Sequence, residues 1–434
     1  MVIKYKRIKL FLAYIIVFSY IVCGNAFVYS IAGITLKLSE IISIPVAVIY
    51  VARHARLRFQ KYEKHIIVWL AFSAISAVIG LISFNYNLRA FISGLFYIIR
   101  IIILIITLHF ISDAFSENAI STDKIINYIL KCYLLVCLIG FLQLFIFPVA
   151  YDWYHLFWSI GTTQYRVDPH VNRLLSTYMD PNYLAACLII PFTISLTQWQ
   201  DGRKGRVPLI FIYALSIILT VSRSGFLGLA FACAFAFLKP HMTKRNFLSD
   251  IVMLAVLLVA VAVLVLKNAA VIMRIVNSVS DPSTGARFDS WRYSFRIFTH
   301  SPVFGIGYNM FDAFSQSVLS TREVYFEDGA DSSILLIMLS SGTIGTVYFI
   351  SAVLKNTIKA IKGKRYKSFQ NITIVFFTSL VLCNFNNLLF YVIWLFPMML
   401  VSNVYLDEYN NRRVLCQEAV FEVPAVGNEL YATQ

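Results

Sequence analysis

Arginines are the first residues of this chain whose type and spacing could do chemistry. Ser222-Arg223-Ser224-Gly225 is a polar break between two apolar runs. It sets a guanidinium at or just inside a membrane face, an expensive position that is functional by default. The plain alternative is an arginine snorkelling to headgroups. The stretch from Gly285 to Phe298 carries Arg287, Arg292 and Arg296. At helical spacing Trp291, Phe295 and Phe298 form one stripe and Arg292 and Arg296 another, with Asp289 three residues before Arg292 to orient it. This pattern predicts a helix at the membrane face, its aromatics in the interface and its arginines toward a site or, more simply, toward anionic lipid. Arg166 and Arg173 stand in an earlier polar segment. A planar guanidinium grips phosphate or carboxylate at two points, where lysine offers only a point charge. The acids that could work with them are Glu323, Glu327, Asp328 and Asp331, just ahead of the apolar run that opens near Ser332. A carboxylate beside apolar surface can act as general base, although an acidic run is more often a solvated loop.

Other polar residues point less clearly to chemistry. Arg100 lies inside the fourth apolar run and Glu40 inside the second; they are candidate partners, either as a buried structural pair or in a polar cavity. His155, His170 and His300 follow no zincin or triad spacing, and there is no glycine-rich nucleotide loop and no catalytic Ser or Cys motif. Six of the seven cysteines fall in apolar runs and Cys416 in the tail, as expected of small apolar fillers rather than disulfides or zinc ligands. No metal and no cofactor is expected.

The elements that must hold these residues are membrane helices. Of 434 residues 59% are hydrophobic and 14% charged, against about 25% charged in a soluble globule. Apolar runs of roughly 17–25 residues recur, each able to cross a hydrocarbon core about 30 Å thick. The spans expected are 9–29, 33–52, 65–84, 90–112, 125–149, 183–199, 207–222, 224–239, 250–267, 331–354, 371–386 and 388–406. That is an all-α, polytopic chain with about twelve transmembrane helices in a single membrane domain, and an uncleaved first span. The net charge of +15 does not indicate nucleic acid, because the bases cluster in alternate short loops. That alternation puts both termini and the 407–434 tail on the cytoplasmic side. Two long loops, 150–182 and 268–330, are left outside, and neither contains a lysine although the chain has 17 Lys and 20 Arg. No internal repeat relates the halves, which counts against a transporter built from duplicated bundles.

With these residues in view, the chain resembles the O-antigen ligase and polymerase superfamily of bacterial surface-polysaccharide assembly. Thr220-Val221-Ser222-Arg223-Ser224-Gly225 is similar to that family's arginine hairpin. Arg287, Trp291, Pro302 and Gly305-Ile306-Gly307 are similar to its large periplasmic loop, and Asp331-Ser332-Ser333-Ile334 through Gly342-Thr343-Ile344-Gly345 to its exit into the next helix. Met179-Asp180-Pro181-Asn182-Tyr183 is also typical. The resemblance implies a GT-C-like glycosyltransferase of the inner membrane, with a periplasmic site for undecaprenyl-pyrophosphate-linked glycans. A flippase and a chain-length regulator of the same pathway are then the expected partners beside the bilayer. Ligases of the family usually carry a His eleven residues before the first glycine of the exit motif, where this chain has Asp331. Arg296, with ten residues between it and Gly307, matches the polymerases' Arg-x10-Gly loop motif. Both features point to a Wzy-type O-antigen polymerase. The first loop lacks the companion motif, since Thr177 and Leu184 stand where Arg166 and Arg173 would need a glycine. The roles implied are pyrophosphate and glycan binding for Arg223, Arg287, Arg292, Arg296, Arg166 and Arg173, with Asp331 as the base that deprotonates the acceptor and Arg223 beside it in catalysis. The alternatives are a ligase acting on lipid A core and a non-catalytic exporter or flippase of lipid-linked sugars.

Overall fold

The structure is a computed structural model that describes residues 2–31, 34–54, 57, 59–157, 171–237, 282–319, 330–362, 378–379, 382 and 387–421. The helices are α1 (Val2–Phe18), α2 (Leu38–Arg53), α3 (Lys61–Ser83), α4 (Leu88–Glu117), α5 (Thr122–Ile146), α6 (Ala150–Phe157) and α7 (Pro181–Gln200). After them come α8 (Val207–Leu219), α9 (Arg223–Phe237), α10 (Pro282–His300), α11 (Ser333–Lys362) and α12 (Val392–Phe421). The expected all-helical bundle is thus the main architecture. Among the described residues four helices are long and apolar enough to cross a bilayer, Lys61–Ser83, Leu88–Glu117, Thr122–Ile146 and Ser333–Lys355, with shorter apolar helices at Arg223–Ala234 and Val392–Asp407. The expected span 250–267 and most of 371–386 lie outside the described residues. Large apolar side chains project outward, among them Ile82, Leu142 and Phe145. Apolar surface of that kind fits contact with lipid rather than water.

Helix α7 forms the middle of the bundle. Every residue from Leu184 to Gln198 is buried, and the helix packs on α5, α8, α9 and α12. Its buried Thr193, Ser195, Thr197 and Gln198 face protein, not lipid.

The chain departs from the hydropathy reading at two points. The first two apolar runs do not lead directly from helix to helix. Helix α1 gives way to one π-helical turn at Ser19–Cys23. A hairpin of β1 (Val28–Ile31) and β2 (Ile34–Lys37) follows, paired antiparallel with Val28 opposite Lys37. The second departure is in α11, which breaks at Gly342, where φ is +58° and ψ −164°. A broken helix at membrane depth is tolerated where protein or a polar cavity satisfies the freed backbone groups. Here protein does so. Thr343 N donates to Pro302 O at 2.8 Å, and Ile306 N donates to Leu339 O at 2.6 Å. A Cβ on Gly342 would lie 2.2 Å from Val303 O, and one on Gly305 (φ +76°) 2.4 Å from Leu339 O. Gly307 packs equally close on Ala77. The Pro302–Gly307 turn is therefore a clasp on the broken helix and requires glycine on both sides.

Polar contacts sort the helix ends into two groups. Lys9 near the start of α1 meets Glu117 at the end of α4 (2.6 Å), and Tyr50 near the end of α2 meets Asp113 (2.5 Å). His109 of α4 meets Glu63 at the start of α3 (3.0 Å), Ser112 meets Asp407 of α12 (2.7 Å), and Arg203 after α7 meets Asp123 of α5 (2.9 Å). Among the described residues one end of the bundle thus collects the helix ends beside the basic segments 4–9, 53–64 and 203–206. The hairpin and the starts of α7, α9 and α11 lie at the other end.

Candidate active site

At that second end the 179–183 turn meets the α8–α9 turn. Asp180 caps α7, its carboxylate accepting from Asn182 N (2.7 Å) and Tyr183 N (2.9 Å), with Pro181 in the first helical turn. This is a strong helix start. Ser222 Oγ donates to Asn182 Oδ1 (2.7 Å), lies 3.0 Å from Ser224 Oγ, and accepts from Gly225 N (3.3 Å) as it caps α9. Gly225 is needed because a Cβ there would stand 2.7 Å from Ala185 Cβ. Arg223 is the first residue of α9 and is half-buried beside this serine–asparagine cluster. Arg173 is only 3% exposed and donates from Nε to Thr220 O at 2.8 Å. Leu174 N bonds Leu219 O at 2.9 Å. Both contacts close the last turn of α8, so Arg173 braces the loop that carries Arg223. Ser176, Met179 and Val221 all have positive φ, between +50° and +59°. For β-branched Val221 this is a costly conformation, of the kind that clusters at functional sites.

Helix α10 forms the second wall. Its buried face is Ser290, Tyr293, Ser294 and Ile297, the i, i+3, i+4, i+7 pattern of a packed helix, and it lies against α11. The backbone N of Asp331 donates to Ser290 Oγ at 3.3 Å. Arg287, one turn before Ser290, is half-buried on the flank it shares with Ser294, Trp291 and Phe298. Ser294 Oγ and Trp291 Nε1 are buried without a hydrogen-bond partner among the described residues. Ser332 begins α11, its carbonyl accepting from Leu336 N (2.9 Å) and its Oγ approached by Leu335 N (3.5 Å). The cap is therefore Ser332, and the Asp331 side chain stands one residue ahead of it, exposed.

Arg292 and Arg296 lie elsewhere on α10. Both are exposed, Arg292 at 84% and 3.6 Å from Asp289, on the outer face with Phe288 and Phe295. The expected aromatic stripe splits in the same way. Trp291 and Phe298 pack inward, whereas Phe295 is 52% exposed. The correction follows from burial: the helix turns Ser290 and Ser294 inward, and this carries Arg292 about 140° and Arg296 about 180° away from Arg287 at 100° per residue. Arg166, Glu323, Glu327 and Asp328 lie outside the described residues.

Beneath these walls Glu40 and Arg100 pair as anticipated, Nε to Oε1 and Nη2 to Oε2 both at 2.6 Å. The 387–391 turn links them to the rest. Leu388 N donates to Ser333 Oγ (2.8 Å), and Tyr391 stacks on Tyr183 (centroids 4.2 Å) and accepts a hydrogen bond from Asn25. Sequence reasoning missed Asn25, Lys37 and Tyr391, and singled out Tyr183 only as part of the 179–183 motif. Only an aromatic or polar residue at the end of an apolar run marks each of them, and such residues recur throughout the chain. Among the described residues no three His, Cys, Asp or Glu side chains form a metal-ligating group; metal-independent chemistry remains an expectation from sequence.

No curated protein matches the chain. The sequence model of the family described as O-antigen ligase matches residues 208–350. That stretch runs from α8 through Arg223 and α10 to the α11 break, so it takes in both walls of the site. Through this region the chain is similar to the family described as O-antigen ligase.

Proposed function

We propose that the chain polymerises lipid-linked oligosaccharide repeats at the periplasmic face of a bacterial inner membrane, with both termini cytoplasmic. A growing glycan would move from undecaprenyl pyrophosphate to a hydroxyl of a new undecaprenyl-pyrophosphate-linked repeat. The observation that carries this reading is the contact between Asp331 N and Ser290 Oγ. It brings Asp331, one residue ahead of the Ser332 that opens α11, against the helix that bears Arg287. In the reaction the bond from the anomeric carbon to the pyrophosphate oxygen breaks and a bond to the acceptor oxygen forms. The acceptor proton passes to Asp331. The pyrophosphate leaves with its negative charge, which Arg223 and Arg287 are suited to hold as it develops. The N-termini of α7, α9 and α11 open at the same end, and their dipoles favour an anion there.

The matched family's description favours a second reading, transfer to lipid A core by a ligase. Purified protein given only lipid-linked repeat should yield a ladder of products. A single transfer that requires core acceptor would establish the ligase instead, and no transfer in either assay would refute both.

A further inference from the structure

We propose that Lys37 is a second oxyanion-binding residue of this site, set to take an acidic group of the lipid-linked glycan beneath the wall that carries Arg223; the inference rests on the reading above. Lys37 ends β2 and immediately precedes α2. It is 8% exposed, and an ammonium taken from water needs a counter-charge or a full set of hydrogen bonds. The near carboxylate cannot supply one. Both oxygens of Glu40 are engaged by Arg100 at 2.6 Å, and Oε2 also accepts from the Lys37 backbone N at 2.9 Å. Among the described residues Nζ has no hydrogen-bond or ion-pair partner. It lies instead over the ring of Tyr391, 4.1 Å from the centroid. A ring face attracts a cation but cancels no charge. With its amine protonated, Lys37 would leave the Glu40, Arg100 and Lys37 set with one positive charge in excess.

The position of that charge points to its use. Tyr391 is held by Asn25 and by stacking on Tyr183, and Tyr183 follows Asn182, the residue that binds Ser222 beside Arg223. The lysine thus sits under the wall that carries Arg223. An oxyanion bound there would complete the charge balance, and two parts of the proposed substrate can supply one: the pyrophosphate of the lipid, or a uronic acid of the glycan.

The test is equilibrium binding to the purified full chain in phosphatidylcholine nanodiscs, with farnesyl pyrophosphate and a glucuronate-containing trisaccharide as probes. Lys37→Met should weaken binding of one probe at least tenfold, Lys37→Arg much less. The Lys37→Met midpoint of thermal unfolding should stay at or above that of the native chain, since the charge removed has no counter-ion. Loss confined to farnesyl pyrophosphate assigns the oxyanion to the lipid, and loss confined to the trisaccharide assigns it to the glycan. A lower midpoint with both affinities intact makes Lys37 a structural anchor and overturns the proposal. So does a loss in Arg223→Ala with none in Lys37→Met, which leaves the polymerase reading standing. Native chain that binds neither probe overturns both.

Discussion

At the end of the bundle where α1 begins and α4 finishes, charges meet in matched sets. Lys9, 3% exposed, lies 2.6 Å from Glu117 and 3.9 Å from Asp113, and Asp113 also accepts from Tyr50. Glu63, fully buried, is held by His109 and Asn403 while it caps α3 through Gln60 N. At the opposite end Asp180 is committed to a helix cap, Glu40 to Arg100, and Lys37 has a ring for a neighbour. Both ends bury charge. The first does so in matched pairs, whereas at the second, among the described residues, the Lys37 ammonium meets a ring face and no carboxylate. A buried pair is weak support for stability, since desolvation offsets most of its Coulomb gain. An incomplete set is more informative, because something must complete it.

The sharpest way to break this contrast is Asp331→Asn. It keeps size and most hydrogen bonding, and the cap of α11 belongs to Ser332. Loss of a general base costs on the order of 10²–10⁴ in rate. We expect lipid-linked substrate still to bind while the ladder stops at one repeat, with Ser332→Ala milder. Normal polymer from the Asn variant would return Asp331 to the solvated loop. Glu40→Gln tests the structural side. It strands Arg100, 8% exposed, and should lower stability by about 3–5 kcal/mol, read as denaturant unfolding in micelles. Glu40→Gln with Arg100→Met should recover much of that loss. Equal losses in the single and double variants would show that packing, not charge, holds α2 to α4. Gly305→Ala comes next, at about 2–4 kcal/mol from left-handed strain and overpacking against Leu339. A neutral alanine would mean that the clasp opens freely.

The helices were legible where composition alone decides. Helices α3, α4, α5, α7, α8 and α9 fall close to their apolar runs, and an acid and a base buried in different runs were enough to suggest Glu40 with Arg100. What hydropathy could not resolve is hydrogen bonding. Val28–Ile31 and Ile34–Lys37 are apolar enough to be counted as span, yet their backbone groups pair across a hairpin. Counting Lys37 as span concealed a buried lysine that lies over the Tyr391 ring. The break in α11 was hidden for a related reason: Gly342 is tolerated in a membrane helix by composition, and only the Pro302–Gly307 turn packed against it shows why the helix stops. On α10 the aromatic spacing was read as the interface stripe, while the packed face is Ser290, Tyr293, Ser294 and Ile297, two of them serines with little weight in a hydrophobic pattern.

A smaller effect separates arginines that hold substrate from those that hold a membrane. Arg223→Lys keeps the charge and loses the fork, so polymer formation should fall on the order of tenfold at equal protein level. Unchanged polymer length would make Arg223 a snorkelling residue.

The smallest expected effect belongs to Arg292 and Arg296, and it is the one that divides α10 most directly. Sequence spacing groups them with Arg287, since all three fall within ten residues. The packed face of the helix separates them. Arg292 and Arg296 share the outer face with exposed Phe288 and Phe295, the arrangement of a helix resting in headgroups, where arginines meet phosphate while aromatics enter the interface. An exposed arginine exchanges one hydrated partner for another, so its removal costs little. We expect Arg292→Gln and Arg296→Gln to keep polymer formation within about threefold of the native chain. Arg287→Gln should suppress it far more strongly, because that side chain shares its flank with Ser294 and Trp291 beside Asp331. Measuring the three variants in neutral and in anionic nanodiscs separates the two roles. A deficit in Arg292→Gln that appears only in anionic lipid identifies an anchor. A deficit in both, equal to that of Arg287→Gln, would mean that α10 turns over when substrate binds and presents its outer arginines to the site.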